Sequence, residues 1–267
     1  MADVHDINSE LVVRFVEETA ASGVDQQTVY AATCRLRRFC KWLCAEGYID
    51  AVVAGSAPKA KPSQKKIPDV YTDEEIAAML RAIDTANPTG KRNLVACLLA
   101  ARIGMRASDI VNLEFGNLCW KRNTIEFATA KTGQATVLPL TNEIGGAIID
   151  YAKNGRPTTD ARNVLVSHGK PHARMRPALV HAIVGNALNA AGIARDGRRR
   201  GPHALRASVA TGMMAADVPL PVISAALSHS ENDTTRIYLK VDIEKLRSCA
   251  LEVRPLVNTW WKKDGAR

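Results

Sequence analysis

The chain has 267 residues, 46% of them hydrophobic, enough for one large domain or two smaller ones with a real core. Its 36 Lys and Arg exceed 27 Asp and Glu, a formal net charge of +9 that points to a polyanionic partner, with nucleic acid ahead of a membrane surface. No run approaches the ~18 apolar residues of a membrane span and no secretory leader opens the chain, so a cytoplasmic protein is expected.

Residues 9–20 read as a helix with Leu11, Phe15 and Thr19 on one face. A second helix is predicted from about Gln26 to Glu46, with Val29, Ala32, Leu36, Phe39, Cys40 and Leu43 at 3-4 spacing and Gly47 as its stop. Its other face carries Arg35, Arg37, Arg38 and Lys41, suited either to a DNA backbone or to solvent. Residues 56–69 hold three prolines and four lysines (Lys59, Lys61, Lys65, Lys66) without apolar periodicity, which reads as a basic linker. The domain organisation expected is therefore a small helical N-terminal domain over 1–55, the linker over 56–69 and a larger domain over 70–267.

Thr72 and Glu75 have capping-box spacing and open a new helix through Met79 and Leu80. Asn93 to Ile103 reads as an apolar core helix ended by Gly104, and Arg106 starts another. From Trp120 to Leu140 the period changes: Ile125 and Phe127 alternate with polar neighbours, and Val137 and Pro139 follow a turn at Gly133, predicting a small antiparallel sheet. The remainder, Glu143 to Leu256, reads as helical with loops at 154–176 and 194–202. The fold class expected is mainly α with a small antiparallel β-sheet (α+β). Six cysteines (34, 40, 44, 97, 119, 249) fall within elements and contain no CxxC, so they read as reduced thiols; Cys34, Cys40 and Cys44 lack a fourth metal ligand, and no metal or other cofactor is expected.

Between His168 and Arg206 stand eight Lys/Arg, including Arg174, Arg176, Arg198, Arg199 and Arg200, against one acid, Asp196. The same region begins a constellation suited to phosphate chemistry. His203 and Arg206 lie one helical turn apart, Arg206 precedes His229 by 23 residues, and His229 precedes Tyr238 by nine. A phenol that attacks phosphorus needs cations to stabilise the phosphorane and a proton acceptor nearby. Taken singly, each residue has a structural alternative: a first-turn arginine for Arg106, a turn lysine for Lys131, a helix cap for His229, a partly buried aromatic for Tyr238.

Taken in order, they resemble the tyrosine recombinase (phage integrase, Xer-like) family over residues ~72–245. Gly104-Met105-Arg106-Ala107-Ser108-Asp109-Ile110 is similar to the family's first arginine box. Lys131-Thr132-Gly133, followed by Val137-Leu138-Pro139-Leu140, is similar to its β-hairpin lysine motif. His203-Ala204-Leu205-Arg206 fits H-x-L-R, Leu227-Ser228-His229-Ser230 the second histidine, and Thr234-Thr235-Arg236-Ile237-Tyr238 the nucleophile segment. Ala207 stands where the family often has histidine, and Ser228 where it often has glycine. The region before the linker is shorter than the family's core-DNA-binding domain.

The resemblance implies a DNA strand transferase needing neither metal nor ATP. Tyr238 would attack the scissile phosphate to give a 3′-phosphotyrosyl link and a 5′-hydroxyl. Arg106 and Arg206 would clamp the non-bridging oxygens, His203 would accept or position the tyrosine proton, and His229 would donate to the phosphate. Lys131 would protonate the leaving oxygen, and Asp109 would hold Arg106. DNA contacts are expected from Arg35, Arg38, Lys41, Lys59, Lys61, Lys65, Lys66, Arg174, Arg176, Arg198, Arg199 and Arg200. The implied partners are double-stranded recombination sites, with a homotetramer exchanging strands through a Holliday junction. Trp260-Trp261 and the apolar residues before them could dock on a neighbouring subunit or on the chain's own core. A catalytically silent DNA-binding protein of the same fold and a type IB-like topoisomerase are the alternatives.

Overall fold

The computed structural model describes residues 4–59, 61 and 70–227, and the chain divides into two units, Met1–Lys66 and Ile67–Arg267. The first unit opens with a single 3-10 turn, then α1 (Ser9–Ala21), α2 (Gln26–Ala45) and α3 (Ala51–Gly55). Asn8 and Asp25 cap α1 and α2 by accepting from Leu11 N and Thr28 N, each at 2.9 Å. Gly47 ends the second helix with φ +80°, a conformation that costs other residues a steric penalty.

Val12, Cys40, Leu43, Ile49 and Ala57 form this unit's core. The inward stripe of α1 is Val12 and Val16; Leu11 and Phe15, expected on one apolar face, stay exposed. The reason is α3, a five-residue helix too short to show a period, which packs against α1 and α2 and selects the face that is covered. Phe39, expected inward, is also exposed, and its ring lies 6.1 Å from that of Trp42.

In the second unit, α4 (Asp73–Arg81) starts with the predicted capping box between Thr72 and Glu75. The central helix α5 (Pro88–Ala101) begins five residues before the apolar run, because Asn87 accepts from Gly90 N at 2.7 Å and Pro88 suits the first helical position. Every residue from Val95 to Ala101 is buried, and burial pushes the Cys97 thiol up to about 12. Around α5 pack α6 (Ala107–Asn112), α7 (Asn142–Asn154), α8 (Pro177–Ala190) and α9 (Pro202–Ala215).

The sheet has order β1-β2-β3, antiparallel throughout, from Leu118–Cys119, Thr124–Ala128 and Ala135–Pro139. Its inward residues are Ile125 and, on β3, Thr136 and Leu138; Val137 points to solvent, 63% exposed. Ile125 pairs with Leu138 across the ladder and joins Ile110, Ile144, Ile148 and Leu165 in the main core. A satellite cluster of Ala207, Ala210, Ile223 and Leu227 fastens α10 (Leu220–Ala226) to α9. The fold is mainly α with one three-stranded antiparallel sheet among the described residues. No helix there is long and apolar enough to cross a membrane.

Candidate active site

The turn between α5 and α6 organises the site. Gly104 has φ +65°, and Met105, 1% exposed, closes the turn by donating its N–H to Leu99 O at 3.0 Å. Arg106 follows in extended conformation as the residue before α6, with its side chain 14% exposed. Its Nη1 lies 3.9 Å from Oδ2 of Asp109, in the first turn of that helix.

Asp109 is buried, and its other oxygen accepts from Ala130 N at 2.9 Å. One carboxylate therefore ties the arginine turn to the β2–β3 connection at the residue before Lys131. That connection is itself held: Gly133 N donates to Thr129 O at 2.8 Å, Thr129 N to Gln134 O at 2.9 Å, and the hydroxyls of Thr129 and Thr132 are 2.7 Å apart. Lys131 projects from it as an exposed side chain.

Arg206 reaches the same turn from α9. It is 7% exposed, and its Nη1 donates to Gly104 O at 2.6 Å. The left-handed φ favours glycine here, and a Cβ at position 104 would also press on Leu227 Cδ2 at 2.9 Å and touch Arg206 Cγ at 3.5 Å. Two arginines a hundred residues apart in sequence are thus fixed by one three-residue segment. A guanidinium bound to a neutral carbonyl keeps its full positive charge, as a phosphate site requires.

His203 stands near the start of α9, exposed to solvent. Its pKa lies below the ordinary histidine value. Partial desolvation is the largest cause, followed by the positive charges of His181, Arg206, Arg106 and Arg199. The same surroundings disfavour the protonated form of this imidazole. His229 and Tyr238 lie outside the described residues, as do Lys65, Lys66 and Trp260-Trp261; Leu227, the last described residue, packs against Gly104.

The expected DNA-contact residues divide. Arg35, Arg38 and Lys41 are exposed along one side of α2, and Lys59, Lys61, Arg176 and Arg199 are also exposed. Three others are engaged within the protein. Arg198 makes two bonds to the Glu75 carboxylate at 2.8 and 2.9 Å and lies 4.6 Å over the Tyr71 ring. Arg200 binds Asn189 and the Ile193 carbonyl, and Arg174 binds Asn112. A run of arginines in sequence carries no record of which acceptors the fold will place beside them. Sequence reasoning also missed His181, whose ring centroid is 6.1 Å from that of His203; nothing local marks it, since the two are joined only through the fold.

The phage integrase family model matches residues 69–245. A putative integrase/recombinase, y4gC, of Sinorhizobium fredii is 35% identical over 188 residues, covering 70% of this chain and 96% of that protein. A second from the same organism, y4rA, is 31% identical over 242 residues, covering 90% of this chain, which spans 58% of that longer relative. Among solved structures, the XerH recombinase bound to palindromic difH substrate, a post-cleavage complex, superposes with TM-score 0.73 at 20% identity. It covers 97% of this chain and 73% of that one. A lambda integrase tetramer bound to a Holliday junction gives TM-score 0.68 at 16% identity over 89% of this chain and 66% of that one. Family model, relatives and fold agree: the chain belongs to the phage integrase family, the tyrosine recombinases.

Proposed function

We propose that this protein is a site-specific DNA recombinase that cuts and rejoins DNA through a 3′-phosphotyrosyl intermediate and exchanges strands through a Holliday junction. The observation that carries the reading is the attachment of Arg106 and Arg206 to one turn, with His203 in their positive field.

A scissile phosphate bound there meets two planar, permanently charged forks on its non-bridging oxygens. Tyr238 attacks phosphorus while its proton passes to His203. A phenol with pKa near ~10 is a weak nucleophile until that proton has an acceptor, and a histidine whose pKa is lowered by its surroundings supplies one. The bond to the 5′-oxygen breaks and Lys131 protonates that oxygen, leaving a phosphotyrosyl 3′ end and a free 5′-hydroxyl. His229, two residues beyond Leu227 in the sequence, donates to the phosphate. The ester retains the energy of the broken bond, so the reverse attack by a 5′-hydroxyl reseals the strand without ATP. Asp109 holds Arg106 and the Lys131 turn in register, pairing with the first through charge at 3.9 Å and accepting a hydrogen bond from Ala130 N in the second.

Residues 70–267 then form the catalytic domain and 1–55 a small DNA-binding domain, joined by the basic stretch 56–69. The exposed Arg35, Arg38 and Lys41 suit the phosphate backbone, where each contact adds salt-dependent affinity without reading bases. The working species is a homotetramer on two duplex sites, as the lambda integrase tetramer on a junction suggests.

The test is a duplex nicked beside the cleavage point, so that the released oligonucleotide diffuses away and the adduct accumulates. A covalent complex mapping to Tyr238 and lost in Tyr238→Phe is the expected result. Binding to a cognate site without any adduct overturns the reading in favour of a silent DNA-binding protein, and site-independent relaxation of supercoils in favour of a topoisomerase.

A further inference from the structure

The packed side of α2 is filled by Cys40 and Leu43, 0% and 1% exposed, while its outer side presents rings to solvent: Phe39 is 46% exposed and Trp42 52%. The row continues past the Gly47 turn to Tyr48, 42% exposed, and on to His5 in the opening 3-10 turn. Successive ring centroids are 6.1 Å apart from Phe39 to Trp42, 6.2 Å from Trp42 to Tyr48 and 5.6 Å from Tyr48 to His5. Single exposed apolar side chains are ordinary. Rings gathered in one row form a patch, and a patch marks a surface that another molecule covers.

Helical spacing threads cations through the row. Arg35 stands one turn before Phe39, Arg38 one turn before Trp42, and Lys41 one turn after Arg38, all three exposed. The exposed acids of this stretch, Glu46 and Asp50, flank Tyr48, and Asp6 adjoins His5, so Phe39 and Trp42 form the cationic end of the row. A second copy of this end would bring the same cations, whereas a polyanion brings their complement. Rings interleaved with cations suit a strand of nucleotides: the faces of unpaired bases lie on the rings and the phosphates meet the cations, without regard to sequence. The spacing of the rings favours an unpaired strand over a duplex. It is nearly double the ~3.4 Å rise per base of a duplex strand, so bases on successive rings must be splayed apart. A duplex, with its bases stacked, offers only their edges in the grooves.

We infer that Phe39 and Trp42, with Arg35, Arg38 and Lys41 beside them, form a binding platform for unpaired DNA, beyond any contact that the same cations make to a duplex backbone. One base stacks on each ring, and Tyr48 extends the row for a strand that continues. This binding involves no cleavage, so it stands or falls apart from the strand-transfer chemistry.

The experiment measures binding of the full chain, by fluorescence anisotropy, to a labelled DNA single strand, the same strand made abasic, a duplex of equal length and the matching RNA strand. Wild type is compared with the double variant Phe39→Leu, Trp42→Leu, which keeps apolar bulk and loses both π-faces, and with Trp42→Phe, which keeps a ring. Wild type is expected to prefer the base-bearing DNA strand to the abasic one. The double variant should lose about tenfold or more on the base-bearing strand, nothing on the abasic strand and nothing on the duplex, and Trp42→Phe should retain most of the affinity. Equal wild-type affinity for the base-bearing and abasic strands overturns the platform. So does a double variant that binds the single strand like wild type, or one that loses equally on every DNA, because the rings then serve the fold or a duplex contact. Tighter binding of the RNA strand overturns the assignment to DNA. A wild-type dimer in sedimentation without DNA, dissociated in the double variant while strand binding persists, gives the surface to a second copy and overturns the platform as well.

Discussion

Arg198 and Arg206 are eight residues apart in sequence and sit in different chemical surroundings. Arg198 has its charge offset by a two-point bond to Glu75 and its face covered by Tyr71, and it pins the start of α4 to the loop before α9. Arg206 is buried and donates to a neutral carbonyl, Gly104 O, in the turn that leads to Arg106. The first holds the fold, and the second is the one proposed above to meet a phosphate. What separates them is the acceptor each one meets, and that depends on contacts spanning more than a hundred residues.

The largest expected effect tests the proposed phosphate contact. Arg106→Lys and Arg206→Lys keep a cation and lose the fork, and cleavage should fall by roughly 100- to 1,000-fold. Gel-shift affinity for the same DNA should persist; a variant cleaving within a few fold of wild type breaks the contrast between the two arginines.

Gly104→Ala comes next. It puts a side chain into a left-handed turn already in contact with Leu227 and Arg206, at a cost of about 1–3 kcal/mol. Thermal unfolding should shift down and the adduct yield should fall together, since one turn serves both. Unfolding that shifts without loss of adduct detaches the turn from catalysis.

Arg198→Ala should do the reverse: a stability loss of about 1 kcal/mol for a partly exposed pair, and near-normal cleavage by the folded fraction. The Arg198 guanidinium is the main cause holding the Glu75 carboxyl below its ordinary pKa. A carboxyl depressed in the folded state stabilises above its unfolded pKa and loses that contribution as pH falls through the folded value. The difference between wild type and Arg198→Ala should therefore shrink on acidification through the carboxylate range, and a gap that stays constant with pH assigns the loss to packing on Tyr71.

Thr72→Ala is the smallest, about 1 kcal/mol for a helix cap, with no effect on cleavage. Denaturant midpoints read it directly, and a catalytic defect would show that the capping box carries more than the start of α4.

The same contrast explains what the sequence made legible. Elements whose cause is local were readable: the Thr72–Glu75 box, the Gly47 stop, the Gly133 turn, the apolar run after Asn93. So was the motif order that joins Arg106, Lys131, His203 and Arg206. What escaped had non-local causes. Val12 rather than Leu11 faces inward because a short helix, unmarked by any period, covers that side. Arg174, Arg198 and Arg200 looked like a basic patch until Asn112, Glu75 and Asn189 were placed beside them. His181 reads as an ordinary surface residue of α8, because Gly201 and His203 are brought beside it only by folding.

In the proposed reaction Arg206, fixed on the Gly104 turn, neutralises charge on the scissile phosphate. The most direct measurement compares Arg206→Ala on two duplexes, one with an ordinary scissile phosphate and one with an uncharged methylphosphonate at that position. The variant is expected to fail on the phosphate and to recover Tyr238 adduct on the methylphosphonate, where the charge to be neutralised is gone. Equal failure on both substrates, with DNA binding intact, contradicts it.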